Sequence, residues 1–526
     1  LARVLLPFAL VAGLPFVTSD PAAADTLTAR GSVNQVQVEG ATPGATVELR
    51  QGSTVVGTGV VDDAGTFIFG IDPGTQDDVP RGSGYTVVEG AGDPVAVTAP
   101  AWAPVEVVDP GDTPPQSFYD DQVLPVPAYA TTYPTTGDDG YGYITTRDGT
   151  TLSANILAPF NVFGSPPPYR AIVIYSGYEP SAPAVQGDPD DALATLLRIS
   201  GYAVVSVNIR GTGCSGGAYS YWEPLQGLDG YDVIEAVAAQ PWVSSATALP
   251  GFDDGGPRVG MAGISFGGIS QLFVARTNPP SLAGITPLSV IADTYRSTLY
   301  PGGILNDGFA RGWAAEREVS AEPAGSPWAA QRIQNGDSQC EANQRYKRQA
   351  PPLVARFEQD LLYQPDPGDS LAPETFVDEI DVPTFIAGSF QDEQTGGHWS
   401  TMLQDFDTPT EVANGTDDLK RAVLYNGTHA DALGPDVVRD LLEFLDLYVA
   451  RGAPGPKPVL RSEAPPAFAD VFGAAYALPP NRAAQFPTQD AYEAADDVVL
   501  RWERGTRDAP ECRVDTNTSP GGLTEV

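Results

Sequence analysis

Histidine is the scarcest functional residue in this chain: 526 residues carry two, His398 and His429. A His-rich metal site is therefore excluded, and any imidazole chemistry has only two places to reside. Cysteine is nearly as sparse. Cys214, Cys340 and Cys512 allow one disulfide and leave one thiol, with the pairing open, and no Cys/His spacing fits zinc. Lysine is almost absent too: Lys347, Lys420 and Lys457 stand beside 26 arginines, which reads as composition bias or adaptation to salt. Cations as a whole are outnumbered, and the net charge is −38. Phosphate backbones and anionic membrane surfaces are repelled by such a field, so neither is an expected partner. Long apolar runs are missing except at the start, so no membrane span is expected once that segment is removed.

The start itself, "LARVLLPFALVAGLPFVTSDPAAAD", has Arg3, an apolar stretch from Val4 to Val17, and Ala22-Ala23-Ala24 before Asp25. That is the layout of a secretory signal, here assigned to residues 1–24 with the mature chain beginning at Asp25, and it implies a secreted protein. Pro7 and Pro15 argue against a buried helix.

What remains is long enough for two to four domains. Residues 25–100 alternate apolar and polar side chains, as at Val47 and Leu49, then Phe67 and Phe69. Turn signals fall at Gln51-Gly52 and Asp63-Ala64-Gly65. Short strands at that spacing predict a small immunoglobulin-like β-sandwich. Residues 101–139, rich in Pro and Asp, read as a linker. From residue 140 a hairpin around Asp148-Gly149 opens a different regime. "RAIVIYSGY", "YAVVSVNIRG" and "RVGMAGIS" are continuous apolar strands. Between and after them run helical patterns: Leu193, Leu196 and Leu197, then Tyr231, Ile234 and Val237, then "ISQLFVARTNPP". This alternation predicts an α/β core with a parallel sheet covered on both faces over 140–293, resuming over 382–451 with "VPTFIAGSF", "RAVLYNG" and a last helix. The intervening 294–381 holds short helical patterns such as "GWAAERE", "PWAAQRI" and "CEANQRYKRQ", and reads as an inserted helical cap. Residues 452–526, Pro- and Ala-rich with a strand-like "VVLRWERG", are expected to be the start of a truncated C-terminal β domain.

At the centre of the α/β pattern stands Gly263-Ile264-Ser265-Phe266-Gly267-Gly268, with a strand entering and a helix leaving. This is the setting of a nucleophile elbow, where a serine is held on a turn too tight for side chains two positions away. The following helix N-terminus favours a developing oxyanion. A serine nucleophile needs a base and an orienting acid. His429 follows the last core strand in "LYNGTHAD", where the chain order Ser…Asp…His puts the base; His398 in "TGGHWSTMLQ" is the alternative. Asp392 comes first after the preceding strand in "FIAGSFQDEQ", ahead of Glu393. Oxyanion donors are expected from the Phe266 backbone N–H and from Tyr178 in "YSGYEPS".

"VNIRGTGCSGGAY", "QPWV", "VGMAGISFGG", "GSFQD" and "NGTH" occur in an order that resembles the X-Pro dipeptidyl-peptidase / cocaine esterase-like hydrolases, over about residues 140–450. The resemblance implies an α/β-hydrolase core with a helical cap, Ser265, Asp392 and His429 as the catalytic triad, and Tyr178 in the oxyanion position. It implies a small-molecule ester or amide, or a short peptide, as substrate; no cofactor and no metal are expected. A C-terminal jelly-roll of full length is missing from the pattern, and the N-terminal β region is an addition to it. Three functions follow for testing. The first is a secreted serine hydrolase cleaving small acyl esters or amides through an acyl-enzyme. The second is an X-Pro dipeptidyl aminopeptidase, for which Glu179, Glu223 and Glu393 are candidate partners of a substrate amine. The third is a non-catalytic binding protein on a hydrolase scaffold.

Overall fold

The computed structural model describes residues 26–71, 78–127, 140–160, 167–182, 189–243, 259–355, 371–406, 420–450, 498–503 and 514–516. The expected signal segment 1–24, Cys512 and most of 452–526 lie outside the described residues.

The N-terminal module contains seven strands: β1 (Thr28–Gly31), β2 (Val36–Glu39), β3 (Thr46–Gln51), β4 (Thr54–Val60), β5 (Phe67–Phe69), β6 (Tyr85–Glu89) and β7 (Val95–Thr98). They run in the order β4-β3-β6-β7-β1-β2-β5, antiparallel except where β7 meets β1. The alternation read in β3 is realised, with Val47 and Leu49 buried. The order is continuous rather than split into two sheets, and its ends fold over each other. A Cβ on Gly59 of β4 would lie 2.0 Å from the Phe67 ring of β5, so only glycine lets that ring fill the space between them.

The second sheet has ten strands: β8 (Tyr141–Thr145), β9 (Thr151–Leu157), β10 (Arg170–Ser176), β11 (Tyr202–Asn208), β12 (Val259–Ile264), β13 (Leu282–Leu288), β14 (Thr384–Ser389), β15 (Lys420–Tyr425), β16 (Val498–Glu503) and β17 (Val514–Thr516). Their order is β8-β9-β11-β10-β12-β13-β14-β15-β16-β17. From β11 through β10 to β16 every neighbouring pair is parallel, and β9 is antiparallel to both β8 and β11. This swap of β10 and β11 in an otherwise sequential, mostly parallel sheet is α/β-hydrolase topology. The resumed chain at β16 and β17 extends this core sheet, at the place where the sequence predicts a separate β domain.

Strand period two sends successive side chains to opposite faces. Val173 of β10 joins a core with α3 (Pro224–Ala238) and α4 (Phe266–Ala275), while Ile172 and Ile174 join one with α2 (Pro189–Ile199) and α8 (Pro435–Tyr448). The predicted apolar residues of α3, Tyr231, Ile234 and Val237, are buried, yet so are its polar ones. Asp232 accepts from Arg147 Nη2 at 2.9 Å and from the Tyr119 hydroxyl at 2.7 Å. Tyr119 belongs to α1 (Gln116–Asp120), inside the stretch read as linker. That stretch is seated rather than free in its described part: Val107 and Val108 are buried and bridge to Gly82 and Val33. Apolar side chains at those positions need cover, and the surfaces of α3 and the β-module supply it.

The β-module meets the core through charge. Asp148, in the β8–β9 turn, accepts from the Ser32 hydroxyl at 2.7 Å and from Arg210 Nη1 at 3.0 Å, and Arg210 also pairs with Asp229 at 2.6 Å. Burial alone would raise the Asp148 carboxyl; the Arg210 and Arg30 charges outweigh it and hold it well below the usual range. The Arg210 of the glycine-rich "RGTG" segment is thus a structural anchor. Glu223 makes no ion pair of this kind among the described residues. Its Oε2 accepts from Gln35 Nε2 of the module at 3.3 Å, and its Oε1 is buried with no hydrogen-bond partner. Burial pushes this carboxyl up to about 8 from 4.5, helped by Asp229 and Asp148 and opposed by Arg210. The native state therefore keeps a proton that the unfolded chain loses near pH 4.5. Stability from this group is full below that pH and is lost as pH rises to about 8. Glu223→Gln, which mimics the protonated form, is expected to remove that decline: thermal melts from pH 5 to 9 should show the wild-type melting temperature falling relative to the variant by several degrees. Parallel curves for the two proteins would contradict the assignment.

Between β13 and β14 lies the segment expected to form a cap, which carries a π-helical turn over Thr294–Leu299, then α5 (Ala310–Ala321), α6 (Pro327–Gln334) and α7 (Ser338–Asn343). Ser326 and Asp337 cap α6 and α7, accepting from the N–H groups of Ala329 and Cys340. The cysteine pairing left open by the sequence is Cys214–Cys340, joining the loop after β11 to α7.

Candidate active site

Ser265 stands between β12 and α4 with φ 58° and ψ −121°, a conformation that L-residues avoid. Its N–H donates to the Leu288 carbonyl of β13 at 2.9 Å, and its carbonyl accepts from Ile269 at 2.7 Å as α4 begins. The neighbouring glycines are required by space. A Cβ on Gly263 would lie 2.4 Å from the Gly267 carbonyl oxygen, and one on Gly268 would lie 2.5 Å from the Leu288 carbonyl oxygen. Strand and helix can cross this closely only without side chains there, and the crossing is what lifts Ser265 to the sheet edge.

Asp392 and His429 follow the C-terminal ends of β14 and β15, the parallel strands beyond β13. His429 Nδ1 lies 2.8 Å from Asp392 Oδ2 and 3.0 Å from Oδ1, and both residues are buried. Asp392 Oδ1 also accepts the N–H groups of Gln394 and Thr395, each at 2.8 Å. Burial works to raise this carboxyl; the hydrogen bond and charge of His429, with the two backbone N–H groups, outweigh it and hold Asp392 below its ordinary value. His429 is fixed from behind. Thr428 and Asp431 form a capping box that starts the turn bearing it. Its own N–H donates to Glu393 Oε2 at 3.1 Å, and its carbonyl accepts from the Ser289 hydroxyl at 3.0 Å. Ser289 follows Leu288, the residue that accepts from Ser265, so one turn after β13 ties the serine and histidine loops together.

His398 is exposed on the 3-10 segment Gly397–Gln404, whose Trp399 and Met402 are buried, and it stands outside the Asp392 pair. Glu393 is exposed and serves the His429 backbone. Of the three carboxylates considered for a substrate amine, Glu223 faces the β-module and Glu393 faces His429. Glu179 lies near Lys347, a buried lysine whose ammonium donates to the Gly213 carbonyl. Burial pushes Lys347 down to about 7, with the Glu179 charge opposing.

Tyr178 follows β10. Its ring meets Phe266, whose N–H is the other oxyanion candidate, edge-on at 5.6 Å between centroids. Its hydroxyl oxygen accepts from the Trp313 indole N–H at 2.8 Å, and Arg317 lies 4.9 Å over its ring. Trp313 and Arg317, both on α5, escaped the reading of the sequence. Their spacing of four in "GWAAERE" does put them on one helix face, but nothing in the pattern says what that face meets. Tyr219, Tyr221 and Trp222 complete an aromatic wall around Phe266, with Trp222 at 4.2 Å. Among the described residues no three His, Cys, Asp or Glu side chains converge as a cation site, and no helix is long and apolar enough to cross a membrane.

The sequence profile described as X-Pro dipeptidyl-peptidase (S15 family) matches residues 148–431, more than half of the chain. A Mycobacterium tuberculosis protein named "Putative serine esterase" is 25% identical over 190 residues, covering 34% of this chain and 28% of that protein. The chain thus spans little more than a quarter of that relative's length. Among solved structures, a CocE/NonD family hydrolase from Staphylococcus aureus is similar at 16% identity and a TM-score of 0.47, covering 72% of this chain and 55% of that one. An α-amino acid ester hydrolase is similar at 17% identity and a TM-score of 0.42, covering 60% and 54%.

Proposed function

The chain belongs to the X-Pro dipeptidyl-peptidase (S15) family, and from that premise we propose that it is a secreted serine hydrolase cleaving small acyl esters or amides through an acyl-enzyme on Ser265. The observation that carries the proposal is the hydrogen-bonded Asp392–His429 pair on the strand ends beside the Ser265 elbow. In this reading His429 Nε2 takes the Ser265 proton as Oγ attacks the acyl carbon. Asp392 keeps the other nitrogen protonated and balances the imidazolium. The Phe266 N–H and the Tyr178 hydroxyl receive the oxyanion. Collapse expels the alcohol or amine with the proton from His429. Water then enters and is deprotonated by His429, and its attack releases the acid.

Secretion is supported by the layout of residues 1–24 and by the Cys214–Cys340 bond, which suits an oxidising compartment. The N-terminal strands are read as an immunoglobulin-like module that packs against the catalytic core through Ser32 and Gln35.

The runner-up is release of X-Pro dipeptides, favoured by the family's own description. It needs an uncommitted carboxylate for the substrate amine, and the partners found for Glu223 and Glu393 favour the ester reading. A paired initial-rate assay on the mature chain separates the two, using a short p-nitrophenyl ester and an X-Pro p-nitroanilide. Turnover of the ester well above that of the anilide is expected. The reverse order would move the protein to the exopeptidase class, and silence on both would favour a binding role for the scaffold.

A further inference from the structure

Two residues of the cap reach into the oxyanion region from one helix. Trp313 and Arg317 are four apart on α5, and each holds a different part of the loop after β10. The Trp313 indole donates to the Tyr178 hydroxyl oxygen at 2.8 Å. Arg317 Nη1 donates to the Gly177 carbonyl at 3.1 Å, while its guanidinium carbon lies 4.9 Å over the Tyr178 ring. Below them the loop rests on Phe266: a Cβ on Gly177 would come within 3.0 Å of that ring, and Trp313 lies 6.0 Å from it between centroids.

A phenol has one proton, which prefers the plane of its ring and so has two favoured directions. Indole N–H is a donor only, so the Tyr178 oxygen must accept from Trp313 and turn its own proton to the other side. Arg317 removes the remaining freedom. It pins the backbone one residue earlier and holds the ring face by a cation–π contact. A donor fixed before the reaction loses nothing to reorganisation when the oxyanion forms.

We propose that helix α5 of the cap is a working part of the oxyanion hole, with Trp313 and Arg317 as positioning residues that aim the Tyr178 hydroxyl. The inference rests on Tyr178 being an oxyanion donor. It makes catalysis depend on the seating of the cap, since the core alone supplies the Phe266 N–H but not an oriented phenol.

The test is a double-mutant cycle on the mature full chain with a p-nitrophenyl ester. The variants are Tyr178→Phe, Trp313→Phe and Arg317→Met, and each of the last two combined with Tyr178→Phe. Tyr178→Phe is expected to lower kcat by about 10²-fold, the usual loss of one oxyanion donor. Trp313→Phe keeps the aromatic packing and loses one neutral hydrogen bond, so kcat should fall about five- to tenfold with KM little changed. Arg317→Met, which keeps the aliphatic stem, should act in the same sense, and Arg317→Lys should recover part of the loss. In the Tyr178→Phe background both effects should shrink to within about twofold, because the hydroxyl they aim is gone. Losses that persist undiminished in that background would overturn the positioning role while leaving Tyr178 as a donor. An unaltered kcat in Tyr178→Phe itself would overturn both the donor and the clamp. Melting temperatures of the single variants separate misfolding from misaiming: the packing-conservative Trp313→Phe and Arg317→Met should each melt close to the wild type.

Discussion

Ser265→Ala is expected to lower kcat for a p-nitrophenyl ester by on the order of 10⁶-fold, the loss found when a serine nucleophile is removed from an intact triad. The fold should not change. Alanine retains the Cβ and removes only Oγ, so the left-handed backbone at φ 58° is no more strained than before. The backbone bonds to Leu288 and Ile269 also stay. Initial rates, with circular dichroism and a thermal melt on the same preparation, check both halves. A variant that keeps more than about a tenth of wild-type activity would sink the nucleophile assignment, since residual oxyanion binding cannot supply that much. Ser265→Gly makes a sharper control. It should be equally inactive yet melt higher, because glycine relieves a conformation that costs about 1–3 kcal/mol. Inactivity together with higher stability is the signature of a residue kept for chemistry at the expense of the fold.

The sequence made this residue visible because local constraints act there over a few positions. The close approach of Gly263 to Gly267, and of Gly268 to Leu288, admits no side chain, so glycine is written into the pattern itself. The apolar strands β10, β11 and β12 were legible for a similar reason: residues such as Ile172 and Val173 feed two cores from adjacent positions, which demands a continuous apolar run. The expected order Ser265, Asp392, His429 rests on the order of the strands that precede them.

Other features depend on what covers a surface, and that is not written locally. Asp229, Asp232 and Glu235 look like the wet face of an amphipathic helix, yet α3 is buried on that side too. They are accommodated because Arg210, Arg147 and Ser281 arrive from elsewhere in the chain. Residues 101–139 read as linker by composition, but in the described part Val107, Val108 and Tyr119 find cover on the β-module and α3. The strands Val498–Glu503 and Val514–Thr516 are ordinary short strands, and nothing in them says which sheet edge they take; β15 offered a free one. Trp313 and Arg317 are of the same kind, since their contacts follow from how the segment between β13 and β14 is seated and not from their sequence neighbours.

The second large effect is expected at the Asp392–His429 pair, and it discriminates between the two histidines. His429→Ala should lower kcat nearly as far as Ser265→Ala, whereas His398→Ala, which removes an exposed side chain, should leave the rate within about twofold. Asp392→Asn should cost about 10⁴-fold, for a reason that the geometry makes explicit. One carboxylate accepts His429 Nδ1–H together with the N–H groups of Gln394 and Thr395. An amide has only one acceptor oxygen. If the backbone N–H groups keep it, the amide NH₂ turns to His429 and donates to Nδ1, which forces the proton onto Nε2. The base is then in the tautomer that cannot accept from Ser265. The pH profile supplies an independent reading. Because Asp392 is held below its ordinary value of 3.8, it stays ionised through the neutral range and contributes no step of its own to the rate there. Its contribution to stability is full above that ordinary value and is lost as pH falls through the depressed one. Wild-type kcat/KM should therefore show no step from Asp392 across the neutral range. In Asp392→Asn the low plateau should give way to a rate that climbs with pH, as hydroxide replaces the missing base. Equal losses from His429→Ala and His398→Ala would remove His429 from its role. A full rate in Asp392→Asn would mean that the 2.8 Å bond shapes the loop and not the reaction.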